Sequence, residues 1–231
     1  MTNDDYIRTN IEEIRKKVGK AALKSGRNAE EIKIIAVTKT VEPERIIRAV
    51  AAGLTDLGEN RVQELCEKYD IVGSGCSWHL IGHLQTNKVK YIIDKVSLIH
   101  SVDSLELADE IQKRAKKAGK VMDILVQVNI SGEESKFGIN ASDTIEFLRK
   151  ISKFANLHVK GLMTIAPLTA NPEDARPVFR DLKKLLIDIR QENIDNIYMD
   201  ILSMGMSGDY EIAIEEGSNM VRIGTAIFGS R

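Results

Sequence analysis

The feature that most constrains the fold is a regular alternation of short apolar runs with helical patterns along the 231 residues. It begins at "KIIAVT", ends at "MVRIGTAIFG" and contains eight strand candidates separated by helical segments. Eight βα units close a parallel barrel, and a chain of this length suits such a barrel as one domain. We therefore predict an α/β protein in which residues 1–231 form a single (β/α)8 TIM barrel. A doubly wound open sheet is the alternative, but it usually has fewer strands.

An additional helix precedes the first strand. From Asn3 to about Lys24, apolar residues recur every three or four positions, which is typical of an amphipathic helix. The residues on this face are Ile7, Ile11, Ile14, Val18 and Ala22.

Charge and cysteine content indicate no nucleic-acid or membrane partner, no disulfide and no metal site. The 33 basic and 34 acidic residues nearly cancel, and no long run of like charge favours a nucleic acid or a membrane surface. The amino terminus lacks the pattern of a secretory signal, and no apolar stretch is long enough to cross a bilayer, so we expect a cytoplasmic protein. Cys66 and Cys76 form no C-x-x-C pair, and we predict neither a disulfide nor a metal site.

In a parallel barrel, functional residues lie at the carboxyl ends of the strands and in the loops that follow them. Lys39 follows the first strand candidate, Asn60 the second and His83 the third. The segment "SMGMSGD" follows the seventh, and we predict Gly224 and Thr225 inside the eighth strand near its end. The unusual polar residues therefore share one rim.

Two of these segments together suggest a phosphate site. The small-residue loop Ser203–Asp209 and the Gly224–Thr225 pair can present N–H groups and hydroxyls to a dianion, where barrels commonly hold phosphate. A short helix after Asp209 would add the positive end of its dipole. The alternative is that these are ordinary turn residues.

Lys39 and Arg222 are charges on apolar strands. Lys39 either extends to solvent or pairs with a carboxylate such as Glu59, or it is shielded from water and attacks a carbonyl to form an imine. Arg222 needs a partner, which can be a strand-end carboxylate, a ring nitrogen or a phosphate. With the phosphate site, these residues suggest a ligand that carries both a carbonyl and a phosphate.

Motifs along nearly the whole chain resemble the pyridoxal phosphate homeostasis protein family. They are "AVTKT", "GENRVQE", "WHLIGHLQTNK", "VNISGEESKFG", "GLMTIAP" and "LSMGMSGDYEIAIEEGSNMVRIGTAIFG". The resemblance implies a fold type III barrel, similar to the amino-terminal domain of alanine racemase. It also implies that pyridoxal 5′-phosphate (PLP) is bound as an internal aldimine.

The resemblance assigns roles position by position. It implies that Lys39 is the Schiff-base lysine, that Arg222 faces the pyridine nitrogen and that Asn60 lines the ring. It assigns no special role to His83, no catalytic residue and no metal ligand. The residues that would cradle the phosphate are Ser203, Met206, Ser207, Gly224 and Thr225.

The implied function is PLP homeostasis without catalytic turnover, because an arginine at the pyridine nitrogen leaves the ring a poor electron sink. The chain stops at Arg231, so we expect it to lack the second domain of alanine racemase and to be a monomer. PLP-dependent apo-enzymes are candidate partners. The alternatives are a racemase-like PLP enzyme and an aldolase that uses Lys39 on a sugar phosphate.

Overall fold

The chain forms a closed barrel of eight parallel strands. The computed structural model describes residues 6–133 and 137–229. The first and last strands pair in parallel, with Lys33 opposite Met220 and Ile35 opposite Arg222, and this pairing closes the barrel. The prediction of a (β/α)8 TIM barrel is confirmed. The strands are β1 Lys33–Val37, β2 Asp56–Glu59, β3 Ser77–Leu80, β4 Leu98–Val102, β5 Met122–Asn129, β6 Leu157–Met163, β7 Ile197–Ser203 and β8 Met220–Ile223.

Helices surround the strands. The predicted amino-terminal helix is confirmed over the described residues, and its apolar face is buried. A further two-residue strand, Ile139–Asn140, pairs with the carboxyl end of β5 outside the barrel. The helices are α1 Tyr6–Lys24, α2 Pro43–Ala51, α3 Val62–Val72, α4 Leu105–Lys117, α5 Thr144–Ile151, α6 Arg176–Gln191, α7 Tyr210–Glu215 and α8 Thr225–Phe228, and the 3₁₀ turns are Ala29–Glu31, Thr86–Tyr91, Ala141–Asp143 and Pro172–Ala175.

The local sequence accounts for these elements. β4 is buried at every position, as expected of a parallel strand that is covered on both faces. α4 begins after Ser104, whose side chain accepts a hydrogen bond from the N–H of Leu107 and caps the helix. Leu107 and Ile111 then recur at helical spacing and are fully buried against the strands.

The hydrophobic core has two layers. The larger layer lies between the strands and the helices and contains the fully buried Trp78. The smaller layer fills the barrel and consists of Ile35, Leu98, Leu125, Met163 and Met220. Because side chains alternate across a strand, the residues two positions from these also face the interior.

Two predicted boundaries were wrong. Gly224 and Thr225 lie beyond β8, because the N–H of Gly224 donates to the Ser207 hydroxyl and the chain turns directly into α8. The helical pattern expected after the third strand, "NKVKYIIDK", does not form an α-helix, and the chain there has only the 3₁₀ turn Thr86–Tyr91. In the described part of the chain, no helix combines the length and apolar character that crossing a membrane requires.

Candidate cofactor site at the carboxyl rim

A cavity of about 500 Å³ opens among the carboxyl ends of the strands. An apolar part of its wall comes from Ile165, Pro167 and Leu168, which follow β6. The eighth residue predicted for the site, Ser203, does not line this cavity. The seven predicted residues that do line it are Lys39, Asn60, Met206, Ser207, Arg222, Gly224 and Thr225.

Lys39 lies two residues beyond the end of β1 and is exposed at the cavity. The shielding from water that an imine-forming lysine was expected to have is therefore not observed. The residues on either side hold its main chain in place. The N–H of Thr38 donates to Gly58 O at 2.9 Å, and the N–H of Thr40 donates to Glu64 Oε2 at 2.8 Å. Thr40 has a φ of 57°, so the chain turns sharply just after the lysine.

A buried ion cluster lies behind this turn. Glu59 is fully buried and pairs with Lys68 at 3.0 Å, so the alternative in which Lys39 pairs with Glu59 is wrong. Lys68 also donates to the main-chain oxygen of Thr38 at 2.7 Å. The other Glu59 oxygen accepts the N–H of Asn60 at 2.9 Å. One lysine and one glutamate thus fix the loops after β1 and β2.

Arg222 is the buried cation of the site, with an exposed fraction of 4%. It donates to the Ser203 hydroxyl at 2.6 Å and to Thr164 O at 2.8 Å. Burial lowers the pKa of Arg222 to about 10, and Asp209 opposes this shift. The guanidinium is therefore still charged at neutral pH. Both of these hydrogen-bond partners of Arg222 are neutral. A strand-end carboxylate, one of the partners that the sequence allowed, does not take this place.

The hydroxyl of Ser207 joins the two segments that were predicted to hold phosphate. It accepts the N–H of Gly224 at 3.2 Å and that of Ala226 at 3.4 Å. Both hydroxyl lone pairs are then used, and the hydroxyl proton remains available for an acceptor in the cavity. Ser207, Gly224 and Thr225 therefore lie together, as the phosphate hypothesis requires.

Sequence reasoning missed the role of Asp209. This side chain also lines the cavity and accepts the N–H of Met206, so that N–H is not available to a phosphate. Burial raises the pKa of Asp209, although the N–H of Met206 and the charge of Arg222 oppose the shift. No helix-start signal points to this role, because Asp209 makes no side-chain cap to α7 and the N–H that it accepts lies three residues before it.

Asn60 presents an unpaired polar atom. Its side-chain oxygen is buried at the cavity and has no hydrogen-bond partner among the described residues. An unsatisfied buried oxygen is destabilising by about 1–3 kcal/mol. A ligand that brought a hydrogen-bond donor to this wall would remove that cost.

His83 is not part of the cavity wall. Its ring stacks on Phe137 with 4.0 Å between the centroids, and its Nδ1 is 3.8 Å from Asp103. His79 lies inside the barrel with other partners, so the two histidines do not form a common site. Of the acidic pair after β5, Glu133 is exposed and Glu134 lies outside the described residues.

Residues 3–231 match the family described as alanine racemase, N-terminal domain. A protein of Aquifex aeolicus named pyridoxal phosphate homeostasis protein is 46% identical over 222 residues, which cover 96% of each chain. The chain belongs to the pyridoxal phosphate homeostasis protein family. Its resemblance to that family is therefore confirmed.

Solved structures extend the comparison. PipY of Synechococcus elongatus, in a structure with PLP bound, is 30% identical and has a TM-score of 0.85, with 96% of this chain and 100% of PipY covered. Alanine racemase of Clostridium difficile is 16% identical with a TM-score of 0.75, and the match covers 98% of this chain but 57% of the racemase. The racemase therefore shares the barrel fold with this family member.

Proposed function

We propose that this protein binds PLP as an imine on Lys39 and takes part in PLP homeostasis without catalytic turnover. The observation that carries the proposal is the cavity in which Lys39, the buried cation Arg222 and the Ser207 hydroxyl meet. The name of the Aquifex aeolicus relative and the PLP bound to PipY support the same ligand.

The cavity residues fit the chemistry of PLP, which supplies an aldehyde that condenses with amines and a ring that can accept electrons. In this proposal, Ser207 and Thr225 hold the phosphate beside Gly224, whose N–H supports the Ser207 hydroxyl, and Arg222 faces the ring nitrogen. On the wall proposed to line the ring, the side-chain oxygen of Asn60 is a hydrogen-bond acceptor to which no described residue donates. Because Lys39 is exposed, its reactivity rests on a phosphate site that brings the aldehyde to it, rather than on burial.

The same contacts argue for weak activation of the ring. Arg222 is held on two sides by Ser203 and Thr164, and it remains a cation at neutral pH. A fixed cation disfavours a second positive charge, so a ring nitrogen facing it stays unprotonated. An unprotonated ring withdraws electrons from a bound amino acid less strongly than a protonated ring does.

One observation favours a racemase-like enzyme as a second candidate. Such a reaction needs an acid or base besides the lysine, and Asp209 is the one carboxyl group that lines the cavity among the described residues. Its raised pKa, caused by burial, brings the carboxyl closer to the range useful for proton transfer.

We extend the proposal to the whole protein: a monomer of one barrel domain that works in the cytoplasm and exchanges PLP with PLP-dependent apo-enzymes. Size-exclusion chromatography with light scattering tests the monomer. Direct transfer is tested by incubating the PLP-loaded protein with an apo-enzyme in the presence of a trap that captures free PLP.

The absorption spectrum tests binding. The wild-type protein mixed with PLP should gain the band of a protonated imine, and Lys39→Ala should lack it. Lys20→Ala, which removes an exposed lysine of α1, is the control and should keep the band. A colourless wild-type protein would overturn the proposal.

Turnover needs a separate experiment. The loaded protein is incubated in D₂O with a panel of amino acids, and exchange at Cα is followed by NMR. We expect no exchange on any of them. Exchange that is lost in Asp209→Asn would instead establish the racemase-like alternative.

A further inference from the structure

A row of buried polar side chains crosses the barrel interior and ends at Arg222. Asp56 Oδ1 lies 3.1 Å from His79 Nε2, and His79 Nδ1 lies 3.1 Å from His100 Nε2. His100 Nδ1 lies 3.0 Å from Ser203 Oγ, which accepts the hydrogen bond from Arg222. The row thus connects the first residue of β2 with the rim cavity.

These positions face inward for a simple reason. His100 is two residues after Leu98, and Arg222 is two residues after Met220, and both of those apolar residues belong to the barrel interior. The exposed fractions of His79, His100 and Ser203 are 3%, 0% and 0%. Polar groups are retained at such depth only when they are hydrogen-bonded, and here each ring nitrogen has a partner.

The carboxylate end fixes the direction of the first hydrogen bond in the row. Burial alone would raise the pKa of Asp56, but hydrogen bonds from His79 and Lys33 outweigh it and lower the pKa. Asp56 is then ionised at neutral pH and can only accept. His79 therefore carries a proton on Nε2, and in its neutral form it has a lone pair on Nδ1.

The remaining protons follow from this start. With the Nδ1 lone pair of His79 as the acceptor, His100 donates from Nε2, and neutral His100 then accepts at Nδ1. The Ser203 hydroxyl donates to that nitrogen and uses its lone pairs for Arg222. All donors point from the guanidinium toward the carboxylate.

We propose that Asp56, His79 and His100 are positioning residues that hold Ser203 as an acceptor for Arg222, so that a carboxylate at the amino end of the barrel orients the cation of the cofactor site. Burial first, and the charge of Arg222 in addition, lowers the pKa of His100 well below its ordinary value and keeps this ring neutral. The other charged groups acting on the row are Lys33, which pairs with Asp56 at 3.0 Å, and Asp209, whose charge acts on Arg222.

NMR of the ring nitrogens tests the row in the protein without PLP, and this arm does not depend on the proposed function. At pH 7, ¹⁵N-histidine spectra should show a proton on Nε2 of both rings and none on Nδ1 of His100. A proton on Nδ1 of His100, or a missing proton on Nε2 of His79, would overturn the proposal.

Asp56→Asn tests the link to the cofactor site, which rests on the proposed function. Asparagine can donate or accept, so the fixed direction is lost, and a fraction of His100 should carry its proton on Nδ1. PLP should bind roughly three- to tenfold more weakly, the range expected for one misoriented hydrogen bond. Lys16→Gln removes one partner of the exposed Lys16–Glu13 pair on α1 and is the control, with unchanged tautomers and PLP binding.

The proposed positioning would be contradicted if His100 kept its wild-type tautomer in Asp56→Asn. It would also be contradicted if the tautomer changed and the affinity for PLP did not. Failure of the wild-type protein to bind PLP would contradict the proposed function, and the NMR of the unliganded protein would still decide the direction of the row.

Discussion

The guanidinium of Arg222 donates a hydrogen bond of 2.6 Å to the hydroxyl of Ser203 in the barrel interior. This contact gives Ser203 a different position from the one predicted for it as one of the residues that would cradle the phosphate. Ser203 lies behind the cavity wall, where it fixes a cation that lines the wall. The site thus depends on residues that do not line the cavity.

Ser203→Ala should weaken PLP binding about tenfold, because Arg222 loses a buried hydrogen bond to a charged group. Titration followed by absorption measures the change. Ser101→Ala is a matched control on β4, since Ser101 is also fully buried and its hydroxyl has no partner within the described residues. Equal affinity of the two variants would contradict a positioning role for Ser203.

Lys68→Met should destabilise the fold by about 3 kcal/mol, because the fully buried Glu59 would lose its cationic partner. Urea unfolding measures the free energy. Lys16→Met removes the Lys16–Glu13 pair, in which both side chains are more than half exposed, and should cost less than about 1 kcal/mol. If both variants lost a similar amount of unfolding free energy, the buried cluster would not be what stabilises the turn after Lys39.

The sequence allowed the barrel and much of the rim to be predicted. Apolar runs mark strands that are buried on both faces, and parallel strands bring their carboxyl ends to one rim, so Lys39, Asn60, Ser207 and Arg222 converge by topology alone. The inward position of Ser203 was not predicted, because it depends on β7 continuing through this residue.

Contacts across the interior were beyond sequence reasoning. His100 and Ser203 are 103 positions apart, and nothing local in either segment signals the other. The burial of Lys68 could not be predicted from the sequence either. It is one of several charges on α3, and its burial follows from the packing of that helix over Glu59 rather than from its neighbours in sequence.

The stability of the protein should fall as the pH drops below about 6.5. Burial lowers the pKa of His100 well below its ordinary 6.5, so the unfolded chain takes up a proton that the folded protein does not. This group stabilises the fold above the ordinary pKa, and the stabilisation is lost at up to about 1.4 kcal/mol per pH unit below it.

Urea unfolding at several pH values measures this slope. His100→Asn should reduce it, whereas His158→Asn, which replaces a side chain that is 40% exposed, should leave it unchanged. The same slope in His100→Asn as in the wild type would assign the acid sensitivity to other groups.

Gly205→Ala should destabilise the protein by at least about 2 kcal/mol. Gly205 has a φ of +93°, and an added Cβ would lie 2.5 Å from the Cβ of Ala213 and 2.9 Å from the Cα of Tyr210. Gly208→Ala, in the same loop, meets no atom within 4 Å and should change the free energy of unfolding by less than about 0.5 kcal/mol. Thermal unfolding of both variants compares them, and a tolerant Gly205 would show that the loop can shift away from α7.

The most direct test of the central claim is borohydride reduction of the PLP-loaded protein, followed by peptide mass mapping. Reduction converts an imine into a stable amine, so the modified lysine can be located. The account predicts a reduced PLP adduct on Lys39 and none there in Lys39→Ala. An adduct confined to other lysines, or a sugar-phosphate adduct on Lys39 in the protein as purified, would contradict it.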